Sequence, residues 1–213
     1  MPKHPARRLS PGLLLIAALW TALAAAADTD RLTRFLSDTR ALRATFTQEV
    51  RDMDGAVMEQ STGTMVLERP DRFRWDYLEP AEQHVISDGR TLWLYDPELL
   101  QVSVRPLGQA LANTPALLLG GDLGRLEENF IVTPLDDQEG IHWYELVPRD
   151  PEAVFQQMLI GFRGETLAQM ELTDHLGQST RLTFSDVEAN PGLDPALFGF
   201  TPPPGVDVIG EGG

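Results

Sequence analysis

The segment Gly63-Thr64-Met65-Val66-Leu67-Glu68-Arg69-Pro70 places a permanent cation at the end of a greasy alternation. In a strand, alternate residues face the same way, so Gly63, Met65, Leu67 and Arg69 would share one face. A guanidinium offers five N–H donors and no acceptor. Beside apolar neighbours it must find carbonyl or carboxylate oxygens, or reach solvent. The chemistry available is therefore binding: a planar donor fork at the border of an apolar surface. Phe73-Arg74-Trp75-Asp76-Tyr77 follows, with three aromatics on one face and Arg74 and Asp76 on the other. Together the two segments predict an apolar cavity lined or bordered by Met65, Leu67, Phe73 and Trp75, with Trp93 or its neighbours Leu92 and Leu94 contributing. Taken alone, the first segment also fits an arginine that snorkels to water from a strand end. Arg72 and Arg74, alternating outward, suggest a docking edge with Phe73 as apolar anchor. The competing expectation is that both arginines simply pair with Asp71, Asp76 or Glu79 on the surface.

Residue types that carry covalent or metal chemistry do not converge. His84, His142 and His175 fall in separate segments, with no His-x-x-x-His spacing and no Gly-x-Ser-x-Gly elbow. Ser87 and Asp88 read as a turn, and Glu127-Glu128 and Asp136-Asp137 as solvated loops. No catalytic residue, metal ligand set or cofactor is expected, and the chain reads as a binding protein, not an enzyme.

The elements that must position these residues follow from periodicity. Residues 30–43 read as an amphipathic helix, with Leu32, Phe35, Leu36 and Leu42 near one face. The period then switches to two at Phe46, Gln48 and Val50. Strand-like segments recur at 62–69, 71–77, 83–88, 91–95, 100–105, 129–134, 141–147, 154–162, 166–173 and 179–185. Asp88-Gly89 predicts a hairpin through a type I′ turn. Arg163-Gly164-Glu165 and His175-Leu176-Gly177-Gln178 predict two more. The pattern breaks at 107–128. There Thr114 and Pro115 start a short apolar helix containing Leu117 and Leu118, which Gly120 stops. That helix suits a lid or a small core helix. Pro202 to Val208 reads as an extended tail. The sum is about eleven strands in antiparallel order with two helical interruptions, and such a sheet curls as it twists.

Composition limits the setting. Lys3, Arg7 and Arg8 precede an apolar run from Leu13 to Ala26 and a small-residue site at Ala25-Ala26-Ala27. This predicts a cleaved secretory signal peptide over residues 1–27, followed by a single domain over 28–213. The chain has no cysteine, so neither disulfides nor a lipid-modified N-terminal cysteine is possible. The formal net charge is −15, which opposes binding to nucleic acid or anionic headgroups.

These residues also resemble a known family. Phe46-Thr47-Gln48, Gln60-Ser61-Thr62-Gly63, Arg69-Pro70-Asp71-Arg72-Phe73-Arg74-Trp75, Ser87 through Pro97, Asn113-Thr114-Pro115 and Phe198 through Val208 match, in order and spacing, the periplasmic outer-membrane lipoprotein carriers of the LolA family. One departure is Pro203, since the usual Pro-Pro-x-Gly run is here Pro-Pro-Pro-Gly. The resemblance implies a mainly β fold with a helical lid (α+β): an incomplete, curved antiparallel barrel enclosing an apolar cavity plugged by helices. It implies acylated lipoproteins as cargo, an inner-membrane ABC transporter as donor, an outer-membrane receptor as acceptor, a monomeric carrier and a periplasmic location. It makes Arg69 the latch that bonds the lid helices and keeps the empty form closed, and sets Phe73 close to the cavity mouth. A related half-barrel that carries or senses another lipid or glycolipid is the alternative. Intact-mass analysis for a bound acylated peptide separates the two.

Overall fold

The computed structural model describes residues 31–107, 119 and 126–210. The expected signal peptide and the lid-helix residues Leu117 and Leu118 lie outside the described residues. Residues 31–38 are helical (α1). Twelve strands follow: β1 Ala41–Arg51, β2 Val57–Glu68, β3 Arg72–Glu79, β4 Gln83–Asp88, β5 Thr91–Asp96, β6 Gln101–Pro106, β7 Phe130–Pro134, β8 His142–Pro148, β9 Phe155–Arg163, β10 Thr166–Asp174, β11 Ser179–Ala189 and β12 Asp207–Ile209. A short helix, α2 Leu126–Asn129, precedes β7, and a 3-10 turn, Pro195–Phe198, precedes β12.

All twelve strands form one unclosed sheet in the order β12-β6-β5-β4-β3-β2-β1-β11-β10-β9-β8-β7. Every pairing is antiparallel except that of β12 with β6. The meander is broken twice: β1 pairs with both β2 and β11 and so joins the two runs, and β12 adds at the β6 edge. All the strands therefore turn at two common ends. One end carries α1, Arg69 and the turns at 88–91 and 163–166. The other carries the turns at 52–56, 80–82, 97–100, 149–154 and 175–178.

Registry explains where the core sits. Leu42 faces Leu67, which faces Phe73; Ala44 faces Met65, which faces Trp75. The same face continues through Phe184, Leu182, Met170, Ile160, Met158, Tyr144 and Leu146, all buried in one cluster with Leu32 and Phe35 of α1. Phe46 lies on Trp75, with ring centroids 4.5 Å apart. Gly63 makes that approach possible, because a Cβ there would sit 2.1 Å from the Asp76 carbonyl oxygen and 2.6 Å from Phe46 Cζ.

Four sequence expectations need correction. Helix 30–43 is too long: the described helix ends at residue 38, and residues 41–43 belong to β1. Asn190 explains the switch. Its Oδ1 accepts from the N–H groups of Arg40 (2.7 Å) and Ala41 (3.2 Å), and its Nδ2 donates to Asp38 O (2.9 Å). That side chain captures backbone groups a longer helix would have needed, across 150 residues of sequence. The hairpin at Asp88-Gly89 is present, but only Gly89 takes positive φ (+93°), so the turn is not type I′. Asp88 Oδ1 instead ties the N–H groups of Arg90 and Thr91. The extended tail supplies a twelfth strand where about eleven were expected. Three residues are too few for periodicity to reveal. Finally, Trp93 does not share the face of Leu92 and Leu94. It pairs with Ile86 on the outer face and packs against Phe200, with centroids 6.5 Å apart.

Candidate functional site

Arg69 follows β2 directly, and its backbone N–H donates to Arg40 O at 2.7 Å. This fixes its Cα beside the passage from α1 to β1. The guanidinium turns inward, and its hydrogen bonds among the described residues go to carbonyls. Nη1 donates to Leu36 O (3.3 Å) and to Thr39 O; Nε and Nη2 donate to Leu119 O at 3.3 and 3.0 Å. Its Cζ lies 5.6 Å from the Phe35 ring centroid, within cation–π range. One side chain thus bridges the end of α1 to Leu119, fifty residues further along the chain.

The choice of partners is physical. The last carbonyls of a helix lack intrahelical donors and carry partial negative charge. A fork with five donors satisfies several at once, which a lysine ammonium could not match in plane. Burial pulls the guanidinium's pKa down to about 10, so it stays charged at neutral pH. The charge is held by carbonyl dipoles, with no carboxylate hydrogen-bonded to it among the described residues. Such an arrangement is firm when assembled and simple to exchange, because each carbonyl can be returned to water.

The apolar residues singled out by alternation are together on the concave side. Met65, Leu67, Phe73, Trp75 and Leu92 are buried, and Leu94 packs against them. Leu32 and Phe35 project into the same cluster from α1, and Phe35 meets Phe162 edge-on at 5.0 Å. Leu36 is half-buried against it.

The outward residues of β3 are engaged. Arg72 pairs with Glu68 at 2.8 Å and covers the Phe198 ring at 5.5 Å; Arg74 pairs with Asp76 at 2.7 Å. Phe73 is 1% exposed, so in this conformation it offers no surface anchor to a partner. The pairing expectation for the arginines therefore describes the structure, with Glu68 in place of Asp71 or Glu79.

The remaining candidates have structural partners. Ser87 Oγ donates to Asp71 O (2.8 Å) and accepts from Gly89 N–H (3.1 Å), building the turn. His84 lies between Asp76 (2.6 Å) and Glu82 (3.1 Å). His142 faces Asp137. Among the described residues no group of three or more histidine, aspartate or glutamate side chains could hold a metal ion.

Sequence reasoning missed two features. Asn190 gave no local signal, because its work is with residues 38–41. The outer face of β3–β6 was also missed. Ile86, Val102 and Phe198 are fully buried there under the segment leading to β12, with Tyr95 and Phe200 at 5.1 Å. The aromatic Phe198-x-Phe200 and the prolines after it were the only hints that this segment covers something.

A sequence profile described as "Outer membrane lipoprotein carrier protein LolA" matches residues 37–201. An outer-membrane lipoprotein carrier protein of Methylibium petroleiphilum is 47% identical over 202 residues, covering 94% of this chain and 98% of that one. One of Methylococcus capsulatus is 44% identical over 200 residues, covering 92% and 96%. In fold, an uncharacterized conserved protein from Thermus thermophilus aligns with TM-score 0.53 at 15% identity, covering 87% of this chain and 98% of that one. MucB aligns with TM-score 0.51 at 18% identity, covering 83% and 63%.

Proposed function

Because the chain belongs to the outer membrane lipoprotein carrier family, LolA, we propose that it shelters the acyl chains of lipoproteins on its apolar concave face, with Arg69 as the latch. The chain is a lipoprotein carrier chaperone. The observation that carries the finer reading is a half-buried arginine bonded to the carbonyls of Leu36, Thr39 and Leu119 at the border of that face.

The energetics favour this division of labour. Each methylene removed from water is worth about 0.8 kcal/mol, so an acylated protein cannot cross an aqueous space unshielded. Met65, Leu67, Phe73, Trp75, Leu92 and Leu94 provide the apolar wall. Phe35 and Leu32, now packed on that wall, occupy space that acyl chains would take. Cargo entry then requires α1 to move, and Arg69 sets what the movement costs. Leu117 and Leu118 complete the lid in this reading. Release needs no covalent step: a two-position lid and an acceptor with higher affinity for the cargo suffice.

The route follows from the same reading. The basic and apolar N-terminal residues 1–27 direct export and are removed, leaving a single monomeric domain in the periplasm. An inner-membrane ABC transporter gives up the lipoprotein and an outer-membrane receptor takes it. No catalysis is required of the carrier.

The test is transfer of a fluorescently labelled triacylated lipoprotein from purified carrier to receptor-bearing vesicles. The wild type is expected to carry it, and Arg69→Leu to bind cargo yet alter transfer severalfold. Native mass spectrometry should show an acylated peptide on the carrier. Purified carrier that retains only glycolipid, or an Arg69→Leu variant that transfers at the wild-type rate, would discard the cargo and the latch respectively.

A further inference from the structure

The end of the concave face opposite Arg69 is built from different residues, and acyl shelter makes no use of it. A cavity of about 380 Å³ opens there, lined by Gln48, Glu59, Ser61, Tyr77, Glu82 and Asp96 among others. Its lining residues include three carboxylates and no basic side chain. Asp96 Oδ1 accepts from Leu99 N–H at 3.0 Å, and Glu82 faces His84 Nε2 at 3.1 Å, so each keeps a further oxygen for another donor.

Ser61 is the informative residue. It is 5% exposed, and its Oγ has no hydrogen-bond partner among the described residues. Buried polar atoms are nearly always satisfied, so one left open on a cavity wall marks a place for a ligand atom. Tyr77 stands beside it. Its hydroxyl donates to Gln48 Oε1 at 3.1 Å, leaving the oxygen's lone pairs directed elsewhere. Burial raises that phenol to about 12, which keeps it neutral. The cavity therefore offers acceptors and negative charge. The group that supplies several donors, positive charge and no acceptor is an ammonium or guanidinium.

The surroundings decide what carries that cation. Leu78, Leu99 and Leu100 are exposed at the adjoining strand ends, and Met53 (76% exposed) and Leu176 (83%) stand at neighbouring tips of the same end. The turns and strand ends there carry Asp52, Asp54, Glu98, Asp150, Glu152 and Asp174 against Arg51, Arg149 and His175, so carboxylates predominate. Apolar tips among carboxylates repel anionic lipid headgroups and suit a polypeptide that presents both basic and apolar side chains. We propose that this cavity seats a lysine or arginine side chain of a partner polypeptide, with Glu59, Glu82 and Asp96 as counter-charges and Ser61 Oγ and Tyr77 Oη as acceptors. The partner's apolar residues rest on the exposed leucines. The site lies apart from Arg69 and adjoins the apolar wall through Tyr77, whose ring meets Phe46 edge-on at 5.4 Å; its carboxylates belong to no part of that wall, so it stands whether or not the carrier reading does.

The probe is a fluorescein-labelled peptide of alternating leucine and lysine, read by anisotropy at low and at about 0.5 M salt. Binding should weaken about tenfold when lysine is replaced by glutamine in the peptide, and by a similar factor in a Glu59→Gln/Glu82→Gln protein. Ser61→Ala should weaken it severalfold. Arg69→Leu should leave it unchanged, and prior saturation with an acyl probe should not compete. Urea midpoints of the variants establish that they are folded. Equal affinity for the lysine and glutamine peptides overturns the proposal, as does displacement by the acyl probe. Stronger binding of the protein to phosphatidylcholine vesicles than to the peptide also overturns it, by making the tips a membrane contact.

Discussion

The two ends of the concave face handle charge and grease in opposite ways. At the Arg69 end the cation is inside, held by carbonyls, and the large apolar residues around it are buried. At the far end the charges are carboxylates around an open cavity, and large apolar residues stand exposed on the turns. The strands are the same strands; Phe46 gives way to Gln48 on β1, Gly63 to Ser61 on β2, and Val85 to Gln83 on β4. One end is thus packed and apolar, while the other is open and polar.

The largest expected effect comes from deepening that contrast. Trp75→Ala should lower unfolding stability by about 3–5 kcal/mol, since its ring is buried against Phe46. Leu99→Ala at the far end should change stability by no more than about 0.5 kcal/mol. Urea denaturation of both settles it. Similar losses from the two would mean that the ends are packed alike.

Next in size is the proposed latch. Arg69→Leu leaves the carbonyls of Leu36, Thr39 and Leu119 without their donor, at a cost of about 1–3 kcal/mol. Amide exchange across 31–38 should quicken accordingly, while β1 and β2 keep their protection. Arg69→Lys should fall between, because an ammonium cannot reach all three carbonyls in the guanidinium's geometry. Unchanged exchange in α1 would detach Arg69 from lid control.

How much of this was legible in sequence depends on the range of the contacts involved. The alternation of Met65, Leu67, Phe73 and Trp75 correctly placed them on one face, because that rule is local to a strand. Arg69 stood out for the same reason. What it bonds to did not, since Leu36 and Leu119 are 33 and 50 residues away. The end of α1 was misread because Leu42 fits a helical stripe as well as a strand. Only Asn190, brought alongside by the β1–β11 pairing, selects the strand. Hydrophobicity left Trp93 and its neighbours Leu92 and Leu94 as alternatives for the inner face, and the neighbours hold it. The partners of Trp93, Ile86 and Phe200, make a second buried surface that a single-face reading of the sheet does not anticipate.

A smaller test uses alkaline pH, where the two ends should respond with opposite sign. Burial lowers Arg69 to about 10, below its ordinary value. Above pH 10 the unfolded chain therefore holds the extra proton, and this group's contribution to stability rises with pH. Burial raises Tyr77 to about 12 from 10.0. Its contribution is intact below pH 10 and is lost as pH climbs through 12. Arg69→Leu should make stability fall more steeply between about pH 10 and 12, and Tyr77→Phe less steeply, as read from urea midpoints. Parallel slopes in the two variants would remove the electrostatic half of the contrast.

The smallest effect belongs to the outer face. Arg74→Ser removes an ion pair with Asp76 at the surface and should cost about 0.2–1 kcal/mol. A larger loss would show that the outer face shares in holding the trough together.

The crossing of residues 190–210 has a mechanical consequence. This segment leaves β11 near the centre of the sheet, passes outside β3 to β5, and ends hydrogen-bonded along β6. It is a brace anchored at both ends, with Phe198 and Phe200 as its fasteners. Bending β1 to β6 further, or flattening them, would require the brace to stretch or buckle. The run from β10 to β7 has no such tie among the described residues. A change in the curvature of the sheet would therefore meet less resistance in that second wing than in the braced one.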